Sequence, residues 1–592
     1  MKSYRKILYS LVLVVALVAA TGRLSGLYCK SERDIYAQVR RNLLIFGEIF
    51  KEVNSRYVEE VEPEKFLRAG IRGMLERLDP YSMYLDSDER DEIRIMTQGK
   101  YYGVGMRIVL RNGWATVAEQ PFPNSPAARA GIREGDQIVE IDGKSTQGET
   151  LSKTAERLRG RQRGSEITIK IRRIGESDPL TFRLLRDEIV VSDIQYAGFV
   201  EPGVGLIRLN SFSNGSDRQL TAAIENLLNR GMEKLILDLR GNPGGLLEIA
   251  VSVLGNFVPK GELVVYTQGR DAAGRQDYRT RTSPIFASKP LIVLVDGFSA
   301  SASEIVAGAI QDLDRGAIIG NETFGKGLVQ TVIPLDRSGQ AQLRLTTALY
   351  YLPSGRLIQR ADVFDRGVNS VLANAADVSD TTDGYAVSEL DSALALPRDR
   401  SQKPKNLPQF STRGGRIVYG GGGIKPDIEV ENPLVSRYVV ELVRKSMFFN
   451  FSLDYATKHP ELPRDFEVTD EILRQFNRFL AEKKFDFKPD GFEHIENLEN
   501  IAREEQFFDA IQPDLAALKE KFQTVKEKEK EKSLNDVKFF LKRELASKLY
   551  GGDAGVESTF ASDPALSHAI QVLGDSQAYR TLLQEKQTTQ NK

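Results

Sequence analysis

A cluster of serines followed by a lysine between two glycines is the part of this chain best suited to covalent chemistry. The serines lie in Phe298-Ser-Ala-Ser-Ala-Ser-Glu304, and the lysine lies in Thr323-Phe-Gly-Lys-Gly-Leu-Val-Gln330. The three histidines, His459, His494 and His568, lie far downstream in a region of different composition. A triad of serine, histidine and aspartate is therefore disfavoured, and a serine nucleophile with a lysine base fits better.

The residues around Ser301 predict that it sits where a strand gives way to a helix. The apolar run from Pro290 to Asp296 is typical of a buried strand, and Ser301 to Leu313 has helical spacing. Ser301 and Glu304 also match the S-x-x-E capping box. A helix cap without any chemistry is therefore the alternative interpretation of this serine.

Lys326 is flanked by glycines, which let another segment approach closely. If a strand runs from Leu328 to Leu335, period-two alternation places Lys326 and Gln330 on one face, where the amide can orient the amine. A lysine that acts as a base near neutral pH must be buried, because burial favours the uncharged amine. The alternative is an ordinary solvated lysine.

A glycine-rich turn supplies candidate donors for a developing oxyanion. The run from Lys234 to Arg240 predicts a buried strand, and Gly241-Asn-Pro-Gly-Gly245 then leads into a helix predicted from Leu246 to Phe257. The first N–H groups of a helix have no partner within it and can face negative charge. Taken alone, the same segment is only a turn.

Three ordered motifs resemble the carboxyl-terminal processing peptidases, also called tail-specific proteases. They are Asp238-Leu-Arg-Gly-Asn-Pro-Gly-Gly245, the serine block and Gly325-Lys-Gly-Leu-Val-Gln330. The resemblance implies Ser301 as nucleophile, Lys326 as general base and Gln330 as the partner that orients the lysine. It also implies an oxyanion hole formed by the backbone N–H groups of Gly245 and Ala302.

The same resemblance implies an α/β peptidase core of the crotonase or ClpP-like kind and acyl transfer without a metal or an organic cofactor. Ser299 and Ser303 are then bystanders. Asp312 matches a family position, but it follows Ser301 by about three helical turns, roughly 16 Å along the axis. We interpret it as structural.

Four ordered pieces upstream resemble a PDZ domain over residues 99 to 189. They are Tyr101-Tyr-Gly-Val-Gly-Met-Arg-Ile-Val-Leu110, the strand from Trp114 to Gln120, Asn124-Ser-Pro-Ala-Ala-Arg-Ala-Gly-Ile132 and Glu134-Gly-Asp-Gln-Ile-Val-Glu-Ile-Asp-Gly143. In that family a turn, here Gly103, Val104, Gly105 and Met106, offers N–H groups to a terminal carboxylate. The strand that follows the turn pairs with the ligand. A helix, here Leu151 to Arg159, forms one wall of the groove. The resemblance implies protein or peptide substrates with accessible carboxyl termini.

Composition limits the remaining classes of function. The chain has 592 residues, a length at which about four domains are expected. Its 81 basic and 82 acidic side chains give no reason to expect a nucleic-acid partner. The single cysteine, Cys29, cannot form an intramolecular disulfide, so disulfides give no support for a secreted location.

The N-terminus has the pattern of an export signal. Lys2, Arg5 and Lys6 precede an apolar run from Ile7 to Ala20. Residues 1–30 are therefore expected to be a cleaved signal peptide or a retained inner-membrane anchor, which places the protein on the periplasmic side of a bacterial cell envelope. The alternative is a buried N-terminal helix in a cytosolic protein. The Gly-Leu-Tyr before Cys29 departs from the usual lipoprotein acceptor pattern and disfavours a lipid anchor.

The multi-domain α/β organisation expected from these patterns has five parts, of which the signal peptide or anchor of residues 1–30 is the first. Residues 31–98 form a helical N-terminal region with a broad apolar face, residues 99–189 the PDZ domain, and residues 190–431 the peptidase core, in which strands and helices alternate. The core carries an insertion at about 361–409, and residues 432–592 form a helical, charged C-terminal extension without an assigned role. In the family the N-terminal helices can help subunits associate, so a homodimer is an expectation, and an adaptor partner is the alternative.

Three functions are candidates for this sequence. The first is a periplasmic serine endopeptidase that recognises carboxyl-terminal tails. The second is a PDZ scaffold with a silent core, which conflicts with the presence of Ser301, Lys326 and the oxyanion turn. The third is an acyl-CoA enzyme of the crotonase type, which gives no reason for a PDZ insert.

Overall fold

The computed structural model describes residues 35–85, 93–95, 97–111, 113–160, 162–173, 175–271, 274–337, 341–360, 407–431, 435–489 and 491–584. The predicted export signal and almost all of the predicted insertion lie outside these residues. The chain divides into two compact units, Met1–Leu78 and Asp79–Lys592. Within the described ranges, no helix combines the length and the apolar character that a membrane span requires.

The first unit contains two helices, α1 (residues 35–56) and α2 (Pro63–Leu75). A proline in the first turn of α2 is favoured because its missing N–H has no helical partner there. The rings of Phe50 and Phe66 stack with centroids 5.8 Å apart. Other large apolar side chains stay exposed, and Leu43 and Leu44 are 66% and 65% exposed. The broad apolar face predicted for this region is therefore present and uncovered within the unit.

The PDZ-like region of the second unit follows a short strand β1 (Met83–Leu85). Its elements are β2 (Lys100–Gly103), β3 (Ile108–Arg111), β4 (Trp114–Val117), α3 (Pro126–Ala130), β5 (Gln137–Ile141), β6 (Lys144–Ser145), α4 (Leu151–Leu158), β7 (Glu166–Arg172), β8 (Leu180–Leu185) and β9 (Asp187–Val190). Strands β3, β4, β5, β7 and β8 pair in that order, and β2 pairs with β9. Every second residue of β7, namely Ile167, Ile169 and Ile171, is buried, as expected for a strand with one face on a core.

The region predicted to be the peptidase core is built on a six-stranded sheet with helices between its strands. Its elements, up to the end of the sheet, are β10 (Ile194–Glu201), β11 (Val204–Leu209), α5 (Ser216–Asn229), β12 (Lys234–Asp238), α6 (Leu247–Leu254), β13 (Leu263–Gly269), β14 (Gln276–Arg279), β15 (Leu291–Val295), α7 (Ala302–Asp312), β16 (Ala317–Gly320), β17 (Leu328–Pro334), β18 (Gln342–Tyr351), β19 (Gln409–Ser411), β20 (Ile417–Tyr419) and β21 (Ile428–Glu429). The sheet order is β10-β11-β12-β15-β16-β21, and every pairing after the first is parallel. Helices α5, α6 and α7 cover one face of it. The predicted α/β core is confirmed, with α6 ending at Leu254 rather than at the predicted Phe257.

A second sheet lies beside the core and contains β1, β18, β13 and β14 in that order, with β17 also paired to β18. Strand β18 thus connects β1, from the region before the PDZ-like domain, to β17, which begins two residues after Lys326. This arrangement brings Tyr81, Lys326 and Arg344 into one region of the molecule.

The C-terminal extension is helical, as predicted. Its helices are α8 (Arg437–Arg444), α9 (Met447–Lys458), α10 (Asp470–Glu482), α11 (Phe492–Glu504), α12 (Phe508–Lys532), α13 (Leu534–Tyr550), α14 (Gly552–Glu557), α15 (Pro564–Gly574) and α16 (Ser576–Gln584). An aromatic-rich cluster that includes Phe448, Phe451 and Phe476 holds α8, α9, α10 and α13 together. The last two helices instead cover the second face of the core sheet, where Leu566 and Leu573 pack with Ile292 and Leu294.

The extension also contacts the PDZ-like domain. The guanidinium carbon of Arg111 lies 3.2 Å from the centroid of the Phe449 ring, and Lys548 Nζ lies 2.5 Å from Glu134 Oε1. Because both charged side chains of the second pair are only 6% exposed, this ion pair is shielded from solvent.

Candidate functional site

Ser301 lies between the fully buried strand β15 and helix α7, as the sequence predicts. Its backbone has φ 54° and ψ −113°, a conformation that non-glycine residues rarely adopt. Such strained residues persist only where their surroundings hold them in place, and they concentrate at functional sites. A sharp strand-to-helix turn of this kind presents a serine hydroxyl at the end of a sheet.

The glycine turn packs directly against Ser301. A Cβ atom added to Gly244 would lie 2.9 Å from both Ala302 N and Ser301 Cβ, so only glycine fits there. A Cβ added to Gly245 would lie 2.4 Å from the carbonyl oxygen of Phe212. In the described part of the chain, the N–H groups of Gly245 and Ala302 donate to no protein acceptor. Both groups are available for an oxyanion.

Asn242 holds the turn in this position. Its side chain donates from Nδ2 to the carbonyl of Leu209 at 2.7 Å and accepts the Gly244 N–H at 2.9 Å. Its own carbonyl accepts the Ala300 N–H at 3.1 Å and the Ser303 hydroxyl at 2.9 Å. Ser303 therefore has a structural hydrogen bond.

Glu304 joins the serine segment to the lysine segment, a role that its capping motif alone does not indicate. The side chain is fully buried. Oε2 accepts the N–H groups of Ser301 at 2.8 Å and of Lys326 at 2.9 Å, while Oε1 accepts from Thr323 Oγ1 at 2.6 Å and from the Gly325 N–H at 2.7 Å. Burial raises the pKa of Glu304 to about 7, although these hydrogen bonds oppose the shift.

Tyr350 makes a second link between the same two segments. Its buried hydroxyl lies 3.1 Å from the carbonyl oxygen of Ser301 and 2.5 Å from that of Lys326. The main chains of Ser301 and Lys326, which are predicted to act together, are therefore adjacent. The buried side chains of Glu304 and Tyr350 hold them together.

Lys326 is desolvated, as a lysine base must be. Burial, with a smaller effect from the nearby charge of Arg344, lowers its pKa to about 8. Its Nζ lies 4.5 Å from the centroid of the Tyr81 ring and donates to Gln330 Oε1 at 3.3 Å. The predicted lysine and amide partners thus meet. Among the described residues, no hydrogen bond joins Lys326 Nζ to Ser301 Oγ.

Tyr81 and Arg344 reach the lysine from different parts of the chain. Arg344 Nε donates to the carbonyl of Tyr81 at 3.1 Å, and the Tyr81 N–H donates to Asp79 Oδ1 at 2.8 Å. Asp79 is buried and also accepts the hydroxyl of Ser82 at 2.8 Å. No pattern within the sequence linked Asp79-Pro-Tyr-Ser82 to the lysine, because the contact depends on the pairing of β1 with β18.

Asp312 has the contacts of a structural residue. One of its oxygens lies 2.8 Å from Arg356 NH2, and both side chains of this ion pair are fully buried. The other accepts the Ser354 N–H at 3.0 Å. Within the described ranges, no group of three or more histidine, cysteine, aspartate or glutamate side chains is placed to hold a metal ion.

The turn from Gly103 to Met106 lies at the end of β2 in the PDZ-like domain. Gly105 has φ 77°, and its carbonyl accepts the Phe122 N–H at 2.9 Å and the Ser125 hydroxyl at 3.0 Å. Across the chain segments that are described, the N–H groups of Val104, Gly105 and Met106 have no protein acceptor. They can therefore bind a carboxylate.

Comparison with known proteins gives matches to four family descriptions. "Peptidase family S41" matches residues 203–366, "PDZ domain" residues 117–173, "Probable PDZ-protease, C-terminal helical domain" residues 438–573, and "Activating protease CtpB N-terminal domain" residues 20–89. These matches define a serine peptidase that carries a PDZ domain and a helical C-terminal domain.

Two relatives are similar over most of their own length. The carboxy-terminal-processing protease of Bartonella bacilliformis is 42% identical over 333 residues, 56% of this chain and 74% of the relative. The carboxy-terminal processing protease CtpA of Bacillus subtilis is 30% identical over 363 residues, 60% of this chain and 75% of the relative. Among solved structures, the photosystem II D1 C-terminal processing protease is 30% identical and covers 53% of this chain and 90% of its own, with a TM-score of 0.30.

The chain belongs to the family of carboxy-terminal processing proteases. The resemblance inferred from the three motifs and the PDZ pieces is thereby confirmed. Membership of a peptidase family also decides against an acyl-CoA enzyme, which was an alternative for the α/β core.

Proposed function

We propose that the protein is a periplasmic serine endopeptidase that captures the carboxyl-terminal tails of protein substrates on its PDZ domain and cleaves them with Ser301 and Lys326. The observation that carries this proposal is the desolvated amine of Lys326, whose main chain is tied by Glu304 to that of Ser301. A lysine in such a position can exist as the free amine near neutral pH.

The proposed reaction uses these two side chains, two backbone N–H groups and water. Ser301 Oγ attacks the scissile carbonyl while Lys326 Nζ takes the hydroxyl proton, and the N–H groups of Gly245 and Ala302 stabilise the resulting oxyanion. The lysine then gives its proton to the departing amine, and water hydrolyses the acyl-enzyme. Nζ donates to Gln330 Oε1, which leaves the lone pair of the free amine to accept the Ser301 hydroxyl proton once Nζ and Oγ are brought together. Catalytic hydrogen bonds often tighten only when substrate binds.

The pH dependence of turnover tests the role of the lysine. Since only the free amine accepts a proton, kcat/KM should fall about tenfold per pH unit below the lysine pKa of about 8 and level off above it. Protonation of Glu304, with a pKa of about 7, should steepen the fall at lower pH. The measurement is kcat/KM for an unfolded protein substrate across this range. A profile that is flat through pH 8, or still rising where an ordinary lysine with pKa 10.5 titrates, would contradict the proposal.

Amidation of the substrate carboxyl terminus should weaken processing. The N–H groups of Val104, Gly105 and Met106 favour a charged carboxylate, and an amide forfeits a charge-assisted hydrogen bond, so KM should rise about tenfold or more. Paired peptides with a free or an amidated terminus provide the comparison, and a peptide whose internal glutamate is replaced by glutamine controls for the change of net charge. Equal KM values for the paired peptides would remove tail recognition from the function.

A second copy of the chain is the proposed partner of the N-terminal unit. Leu43, Leu44 and Ile49 of α1 are more than half exposed, although they are apolar. Sedimentation equilibrium should give a dimer for the wild-type chain and a monomer for Leu44→Glu. A wild-type monomer would leave an adaptor as the partner.

The periplasmic location rests on the basic residues and the apolar run at the N-terminus, which lie outside the described residues. Protease accessibility in intact spheroplasts measures it directly. Digestion of the catalytic region from outside supports the proposal, whereas full protection until the membrane is lysed contradicts it.

A further inference from the structure

Arg240, the residue just before the glycine turn, is held by two carboxylates from distant parts of the chain. Its guanidinium donates to Asp238 from Nε at 2.9 Å and from NH2 at 2.8 Å. It also donates to Asp563 from NH1 at 3.0 Å and from NH2 at 2.7 Å. The arginine side chain is only 13% exposed, so both contacts are largely shielded from solvent. Bidentate pairs of this kind fix geometry as well as charge.

Asp563 belongs to the C-terminal extension, where it caps helix α15. Its Oδ1 accepts the Leu566 N–H at 3.0 Å. The helix cannot swing freely, because its apolar side packs on the core sheet, and Tyr579 of the next helix bonds both the N–H and the carbonyl of Leu291, at 3.0 and 3.1 Å. The carboxylate of Asp563 is therefore held in a defined position relative to the sheet.

The contact lies at the base of the oxyanion turn. The Arg240 N–H donates to Asp238 Oδ1 at 3.0 Å, and the next N–H, that of Gly241, donates to Asp296 at 3.1 Å. The turn continues through Asn242 and Gly244 to Gly245, and Gly244 packs against Ser301. Burial would raise the pKa of Asp238, yet Arg240 and Arg208 hold it below its usual value. Without the arginine, Asp238 and Asp563 would be like charges in one partly buried place.

The geometry points to Asp563 as a positioning residue for catalysis: through Arg240 it fixes the base of the Gly241–Gly245 turn and so the direction of the Gly245 N–H. The C-terminal extension then has two roles: it packs on the core sheet, and through Asp563 it helps to position the oxyanion hole. This inference rests on the proposed function, because it requires that Gly245 stabilise an oxyanion in acyl transfer to Ser301.

The test compares the full-length wild-type chain with Asp563→Asn, which keeps an acceptor for the helix cap but loses the charge that binds Arg240. We measure kcat and KM on fluorescein-labelled casein and count the active sites by complete labelling of Ser301 with a fluorophosphonate. A displaced donor weakens transition-state binding, so kcat per labelled site should fall about tenfold to a hundredfold with KM nearly unchanged.

Asp575→Asn is the matched control. Asp575 also caps its own turn, by accepting the N–H groups of Gln577 and Ala578 at 2.8 and 3.0 Å, but in the described part of the chain it has no arginine partner. It should keep the wild-type kcat. Asp563→Ser, which also retains a cap acceptor, should reproduce the loss seen with asparagine and so exclude an effect of that one side chain.

The outcomes are distinguishable. Wild-type kcat per labelled site in folded Asp563→Asn overturns the inference, as does a loss of activity that only follows the loss of labelled sites. If the wild-type chain itself shows no cleavage beyond that of Ser301→Ala, the proposed function fails, and this inference fails with it.

Discussion

Replacement of Ser301 by alanine should abolish cleavage of a denatured protein, with a loss of about 10⁴-fold or more. The substitution removes the only atom that forms the acyl-enzyme, while the oxyanion donors and the PDZ domain stay in place. Alanine and serine have the same Cβ atom and so meet a similar steric restriction at φ 54°, and we expect the variant to fold. Gel analysis of casein digested by equal amounts of wild-type and variant enzyme measures the effect.

Ser303→Ala separates the nucleophile from its neighbours. Ser303 donates to the Asn242 carbonyl at 2.9 Å, so its loss disturbs the oxyanion turn but leaves the attacking oxygen in place. We expect a reduction of about tenfold, consistent with one lost structural hydrogen bond. Wild-type cleavage by Ser301→Ala would instead reject the proposed chemistry and leave a PDZ scaffold as the function.

The sequence predicted the parts of the site that lie within single motifs. The strand-to-helix position of Ser301, the turn at Gly245 and the contact of Lys326 with Gln330 each follow from spacing over a few residues, and each is present in the structure. The fold class was also predictable, because alternating apolar strands and amphipathic helices allow few arrangements.

The groups that join these motifs were not predictable in the same way. Glu304 matched a capping motif, and only the folded chain shows that its carboxylate also accepts N–H groups from the lysine segment. Tyr350 comes from β18 and Tyr81 from the segment before β1, and both reach the site through strand pairing. Such contacts carry no local periodicity. The S-x-x-E spacing was the one sequence signal for Glu304. It is compatible both with a helix cap and with a carboxylate that binds the lysine segment.

The role of the C-terminal extension had the same limitation. Its amphipathic helices predicted a packed face but not the surface that receives it. In the structure these helices pack on two different surfaces. Helices α8 to α10 pack with α13, and the last two helices pack on the core sheet. Removal of α15 and α16 would expose Ile292 and Leu294, so these two helices complete the apolar packing on that face of the core sheet.

Lys326→Arg should reduce kcat/KM about 10³-fold or more, although it preserves the positive charge. A guanidinium stays protonated at every pH at which proteins are stable, so it cannot take the proton of Ser301. The variant also adds bulk beside Tyr81 and brings a permanent charge close to Arg344. Turnover of casein by the purified variants measures the loss. Lys289→Arg is the control, because Lys289 donates to the Met232 carbonyl at 2.9 Å and a guanidinium can donate to the same acceptor. Near-normal turnover by Lys326→Arg, together with an unchanged pH profile, would show that another group is the base.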